Sequence, residues 1–258
     1  MISPIKDTFE FYGASFLLDI IPPASSVNSL LLYSGNVELM LSAANRSVIA
    51  NTNKYVIYEF WRCMLDDPGR VASIASFLDK SIMGTTNDIA IAAQERWAEY
   101  KDPYVRAALF FLLNRYSENG QVSSGGIDTD RLNPIVIHRL KNFKAKNLYL
   151  NFNKQENFLV SEKSSLKIDY NMISAGKFSY NFFEEGKSRG YENTQVEHKP
   201  IRQFLKATDD KTFLLYEFHP ALKKFYSDFE IVHLDKRGNP TSDKEQTTGT
   251  IIANFRIS

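Results

Sequence analysis

Along this chain the spacing of apolar residues changes twice. Leu30 to Tyr33 and Ser47 to Asn51 are short runs that stop where polar or Gly-containing loops begin, and each predicts a strand. From Lys54 to about Lys146 the spacing becomes helical. Apolar positions recur three and four residues apart in Val71-Ile74-Ala75-Leu78, in Ile89-Ala93-Trp97 and in Val105-Ala108-Leu109-Leu112. Asp102-Pro103 reads as a helix start with Asp102 as cap, and Asp66-Asp67-Pro68-Gly69 as a helix end and turn. Asn119-Gly120 and Ser123-Ser124-Gly125-Gly126 mark turns. From Asn147 onward strands return, at Leu148 to Asn151, Leu166 to Asp169, Phe213 to Tyr216, Ile231 to Leu234 and Thr250 to Phe255. Helices fit from Gln195 to Ala207 and from Pro220 to Tyr226.

Strands alternating with helices predict an α/β fold with a mostly parallel, doubly wound, Rossmann-like sheet. The core is expected over residues 1–60 and 145–258, interrupted by a helical insertion over 61–144. Leu166 to Asp169 reads as a short buried strand ending in an acid, the place where an α/β protein begins a catalytic loop.

Composition excludes more than it proposes. No run of 18 apolar residues occurs, which predicts no membrane span. The start lacks a basic, then apolar, then small-residue pattern, so a cytoplasmic protein is expected. The lone Cys63 lies in a helix-like run and reads as core packing in a reducing compartment. Net charge is +1, so contact with nucleic acid would need a local patch. Such a run exists at Arg139, Lys141, Lys144 and Lys146. The four histidines, His138, His198, His219 and His233, show no spacing for a metal site, and none is expected. Neither Ser34-Gly35 nor Ser124-Gly125 sits in a nucleophile elbow, and Glu184-Glu185 reads as a solvated pair.

Four stretches in order carry a resemblance. They are Phe9-Glu10-Phe11-Tyr12-Gly13-Ala14-Ser15 with Leu17 to Pro22, Leu113-Asn114-Arg115 with Asn119-Gly120, Thr212 to Tyr216 leading through Pro220 to Phe225–Ile231, and Gly249 to Phe255. Together they resemble the DNA adenine methyltransferase family, the deoxyadenosine methylases of bacteria and their phages. The resemblance covers nearly the whole chain. It implies a Rossmann-like methyltransferase sheet with the insertion as a target-recognition domain.

The resemblance also implies S-adenosylmethionine at Tyr12, Gly13, Tyr33, Gly35 and Asn51, yet these places are altered. Val37 stands where a second glycine belongs, and its branched side chain resists positive φ. Asn51 replaces the acid that grips the ribose and lacks a carboxylate's charge-assisted strength. Weak or lost cofactor binding is expected. The family's Asp-Pro-Pro-Tyr loop corresponds to Asp169-Tyr170-Asn171-Met172. Asp169 keeps one acceptor for the adenine amine, while Tyr170 stands two places too early to stack a flipped base. Asp169 and Tyr170 are thus expected to be vestigial. The region that meets DNA in the family corresponds to Asn114, Arg115, Asn119, Gln121, Arg139, Lys141 and Lys144, the cations on phosphates and the amides within reach of base edges.

These readings converge on a catalytically degenerate methyltransferase homologue that acts as a non-catalytic DNA- or protein-binding partner, with a protein partner or self-association expected. One alternative is an active methyltransferase with an unorthodox loop. Another is a structural or assembly protein that binds neither cofactor nor DNA.

Overall fold

A sheet of seven strands organises the molecule. The computed structural model describes residues 2–7, 11, 13–82, 87–117, 120, 122, 126–129, 132–153, 159, 167–178 and 197–257. The strands are β1 (Ser26–Ser29), β2 (Ser47–Thr52), β3 (Leu148–Phe152), β4 (Tyr170–Gly176), β5 (Thr212–Glu217), β6 (Glu230–Asp235) and β7 (Thr247–Ala253). Their order is β3-β2-β1-β4-β5-β7-β6. The five strands from β3 to β5 run parallel, and β7 enters antiparallel between β5 and β6. This is a Rossmann-like α/β fold, as the alternation of strands and helices predicts. No described helix is long and apolar enough to cross a membrane.

The helices are α1 (Ala14–Ile20), α2 (Asn36–Ala43), α3 (Tyr55–Asp66), α4 (Pro68–Ile82), α5 (Asn87–Arg96), α6 (Pro103–Tyr116), α7 (Pro134–Lys141), α8 (His198–Ala207) and α9 (Leu222–Phe225). Helices α3 to α7 all lie in the crossover between β2 and β3. They share one apolar core with the sheet: Ala72, Ala75, Phe110 and Leu113 join the cluster that holds Val27, Val48, Met172 and Phe213. Cys63 is buried in that core, and burial pushes its thiol up to about 11, which keeps it protonated and inert. A second cluster covers the other face under α8 and α9, with Ile173, Leu214 and Ile252 packed against Ile201, Leu205 and Leu222.

Local chemistry sets the element ends. Asp102 accepts from the Tyr104 amide at 2.8 Å with Pro103 at the first helical position, so the expected cap is present. Helix α3 stops at Asp66 and α4 starts at Pro68, as the acid-acid-Pro-Gly run predicts. Buried Arg46 donates from Nε to the Ile21 carbonyl at 3.0 Å and from a terminal nitrogen to the Leu18 carbonyl at 2.8 Å. A guanidinium there satisfies carbonyls at the end of α1 and complements the helix dipole.

Two strands are displaced from where apolar runs placed them. The first is Ser26–Ser29, ahead of Leu30 to Tyr33, and β4 begins at Tyr170, after Asp169. Both strands carry amide or hydroxyl side chains on buried positions, which hides them from an apolar count. Leu30 and Leu32 are apolar because they are buried beyond the strand end. The helix expected from Gln195 is α8, with Glu197 before its first residue. Gln195 itself, like Glu184, Glu185, Ser123 and Ser124, lies outside the described residues.

Under α8 a buried polar chain runs from His198 Nδ1 to Tyr216 Oη at 2.9 Å, and from there to Tyr226 Oη at 2.8 Å. Burial pulls the His198 imidazole down to about 4 and raises both phenols. The unfolded chain, with an ordinary histidine near 6.5, then binds more protons than the folded one below that pH. The stability from a neutral His198 is therefore complete above about pH 6.5 and lost as pH falls toward 4. Urea unfolding at pH 7 and at pH 5 should show lower stability at pH 5. His198→Phe should be less stable at pH 7 and lose part of that pH dependence; an unchanged pH profile would contradict the assignment.

Candidate functional site

In a doubly wound sheet, ligands sit outside the carboxyl ends of the parallel strands. Here that edge holds the turn from Leu30 to Gly35. Gly35 has φ of 70° and stands just before the first residue of α2, a conformation that favours glycine. A Cβ on Gly35 would lie 2.6 Å from Trp61 Cζ2 and 2.9 Å from Cη2. Gly35 is therefore packed directly against the Trp61 indole, which α3 delivers and which is fully buried. Trp61 Nε1 donates to the Tyr33 carbonyl at 2.8 Å, and the Tyr33 hydroxyl donates to the Gly120 carbonyl at 3.1 Å. Gly13 is closed in the same way. A Cβ there would run into the Leu234 side chain and lie 2.6 Å from the Phe11 ring. Tyr12, next to it, lies outside the described residues.

Asn51, at the end of β2, is part of a row of amides that crosses four strands. Its Nδ2 donates to Asn28 Oδ1 at 2.7 Å and to the Ser29 carbonyl at 2.8 Å, and its Oδ1 accepts from Asn151 Nδ2 at 2.8 Å. Asn28 Nδ2 in turn donates to Asn171 Oδ1 at 2.9 Å. Asn171 Nδ2 lies 3.5 Å from Asp210 Oδ2. With both its amide atoms engaged, Asn51 serves the sheet itself. On the opposite face, Ser29 donates to buried Glu38 at 2.6 Å, and burial raises that carboxyl above its ordinary range.

Asp169 and Tyr170 are on the other edge. Asp169 precedes β4, where its carboxylate accepts from the Ser26 amide at 2.8 Å and its own amide donates back to the Ser26 carbonyl at 3.0 Å. The length of β4, about 20 Å at ~3.3 Å per residue, separates that edge from the edge that carries the Gly35 turn. A strand ending in Asp169 is thus corrected to a strand beginning after it. Tyr170 is buried, stacked on Phe213 at 5.4 Å between ring centres, with the Lys211 ammonium 5.4 Å from its own. Both residues border an open cleft of about 490 Å³ that also includes Pro22, Lys167, Asp209 and Lys211.

Asn114 and Arg115 face the segment Ser3–Asp7. Asn114 Oδ1 accepts from the Lys6 amide at 2.7 Å, and its Nδ2 donates to the Gly120 carbonyl at 2.7 Å. Arg115 Nε donates to the Pro4 carbonyl at 2.7 Å, and Lys6 Nζ donates to the Arg115 and Ser117 carbonyls. The same segment reaches the Gly35 turn, where Ser3 Oγ donates to the Ser34 carbonyl at 2.5 Å and Ser34 Oγ donates to Asp7. Both side chains thus tie α6 to this strap. Arg139, Lys141, Lys144 and Lys146 are exposed at the end of α7 and beyond it. The positive charge of Arg139 lies close enough to add to the effect of burial, which lowers the Arg115 guanidinium. Asn119 and Gln121 lie outside the described residues.

The structure therefore gathers Tyr33, Gly35, Asn114 and Arg115 around one strap, leaves the basic run open, and sends Asp169 and Tyr170 elsewhere. Trp61 and the amides Asn28 and Asn151 escaped the sequence reading, and Asn171 entered it only as a residue of the altered loop. The usable signal was the recurrence of asparagine within strand-like runs, where it is normally depleted. Among the described residues, no group of three or more His, Cys, Asp or Glu is placed to hold a metal ion.

If Trp61 and Gly35 are complementary, their substitutions must couple. Trp61→Ala should cost about 3–5 kcal/mol through the cavity it leaves. Gly35→Ala should be destabilising in the wild type, through the Trp61 clash and the positive φ, and less so beside Trp61→Ala. A urea-melt cycle should show a coupling of about 0.5–3 kcal/mol, and strict additivity would argue against the complementarity. No family model matches this chain, and no curated protein matches it.

Proposed function

We propose that this chain is a non-catalytic relative of the DNA adenine methyltransferases that acts as a DNA-binding partner. The observation that carries the reading is the indole of Trp61 packed against Gly35. In the family that the sequence resembles, backbone at this turn approaches the methionine end of S-adenosylmethionine. Here an aromatic ring is packed against that turn at Gly35, Phe11 and Leu234 crowd Gly13, and Asn51 spends both its amide atoms within the sheet. These residues do not fit the cofactor, so no step of a reaction is assigned to it.

The strand order, with an antiparallel strand between β5 and β6, suits a methyltransferase sheet and speaks for ancestry through the fold alone. The loss of chemistry is supported a second time at Asp169. An acceptor on the amino edge of the sheet cannot reach a base held beside Gly35. DNA as ligand is supported by the exposed cations at Arg139, Lys141, Lys144 and Lys146, which point charges at solvent without an acid among them in sequence.

Titration calorimetry with S-adenosylmethionine should give no heat of binding in the micromolar range, and labelled cofactor with double-stranded DNA should yield no methyl transfer. A micromolar dissociation constant would restore the reading of an active enzyme. In gel shifts at two salt concentrations, the affinity for DNA should fall with salt. Replacing Arg139, Lys141 and Lys144 by Ala should weaken binding and flatten the salt dependence by about 0.9 in log–log slope for each phosphate that is no longer neutralised. Absence of DNA binding at low salt would refute the DNA part of the proposal.

A further inference from the structure

Strand β3, at one end of the sheet, keeps two side chains of one face exposed. On the face under α8 and α9, apolar packing involves β4, β5 and β7 together with Leu30. Over β1, β2 and β3 that face carries the amide row, with Asn28 and Asn51 buried and Asn151 at the outer strand. At its outer strand, Tyr149 is 55% exposed and Asn151 is exposed as well. Tyr149 and Asn151 are two residues apart on β3, so they share this face about 7 Å from one another. Asn151 is held by its Nδ2 on Asn51, and among the described residues no donor is bonded to its Oδ1. The row behind it, through Asn28 and Asn171 to Asp210, fixes its orientation with amides that the interior of a sheet would otherwise fill with Val or Ile.

We infer that the exposed side of β3 is a platform for single-stranded nucleic acid, with Tyr149 as the stacking ring and Asn151 as the group that meets a base edge. The inference rests on the nucleic-acid reading above and adds the strand class and the base contact. Such surfaces combine exposed aromatic rings with a cationic track for the backbone, and on a sheet they set rings and polar side chains on one face. The cationic track is present. Residues 131–155 contain six Lys or Arg and no acid. Exposed Lys144 and Lys146 lead directly into β3, and Lys146 lies within about 10 Å of Tyr149 along the chain. The opposite end of the amide row meets Asp210 at a cleft where Asp169 and Asp209 are mixed with Lys167 and Lys211, so the positive charge without acids beside it in sequence lies at the β3 end. A duplex keeps its bases stacked inside and cannot offer one to Tyr149, whereas a single strand offers each in turn.

Fluorescence anisotropy with labelled oligo(dT), oligo(U) and a duplex of equal length, at low salt, tests the platform. Single strands should bind more tightly than the duplex. Tyr149→Ala should weaken single-strand binding about tenfold or more, with melting temperature and duplex affinity unchanged, and Tyr149→Phe should restore it. Weakening with either polymer supports the platform, and the tighter of the two names the ligand as DNA or RNA. Wild-type affinity in Tyr149→Ala, with binding still abolished in the Arg139, Lys141 and Lys144 triple variant, overturns the platform and leaves the phosphate grip standing. No binding of any probe by the wild type overturns both.

Discussion

The contact between the Trp61 indole and the Gly35 turn determines how the rest of the molecule is arranged. The indole enters from α3, the helix that follows β2, and meets the turn that follows β1, so one side chain joins two successive crossovers at the carboxyl edge of the sheet. It needs a residue without Cβ at Gly35, and it gains a hydrogen bond at the Tyr33 carbonyl. Around it, Phe60, Phe110 and Phe143 continue the aromatic packing into the helical stretch. A large aromatic in this place contributes dispersion and burial that a solvated cleft would forgo. At this edge of the sheet the indole beside Gly35 is part of the apolar core.

Polar atoms inside the sheet follow a second rule, that each must find a partner. The amide row meets it by having each asparagine donate to the next. The chain of His198, Tyr216 and Tyr226 meets it under α8. Glu38 meets it through Ser29 and a raised affinity for its proton. Salt bridges contribute little to this interior. The Glu59–Arg106 pair is the more sheltered exception, bridging α3 and α6 with two oxygens against two nitrogens.

The fold class could be read from the sequence because strand and helix alternate in strong periodic signals, and β2, β3, β5 and α6 lie where those signals put them. The ends of β1 and β4 could not, because their interior positions are Asn28, Ser29, Asn171 and Ser174, residues that read as turns when counted by polarity. That single misplacement carried Asp169 from one edge of the sheet to the other in the expected site. Gly35 and Gly13 stand out in the sequence as places for a cofactor, and the structure sets protein side chains against both. What approaches them could not be read from local sequence, since Trp61 and Leu234 arrive from distant segments. Likewise the Asn114-Arg115 pair was conspicuous in the sequence, while its partner, the Ser3–Asp7 segment, lies more than a hundred positions away.

That separation has a kinetic side. During synthesis, residues 3–7 emerge long before Asn114, Arg115 and Ser117 exist to receive them. The strap's backbone groups must stay with water until α6 has formed, and only then can Ile5 enter the core. Contacts of such sequence separation close large loops, which slows the step that makes them. The strap thus cannot lock before α6 exists, and its hydrogen bonds are ones that a shorter nascent chain lacks.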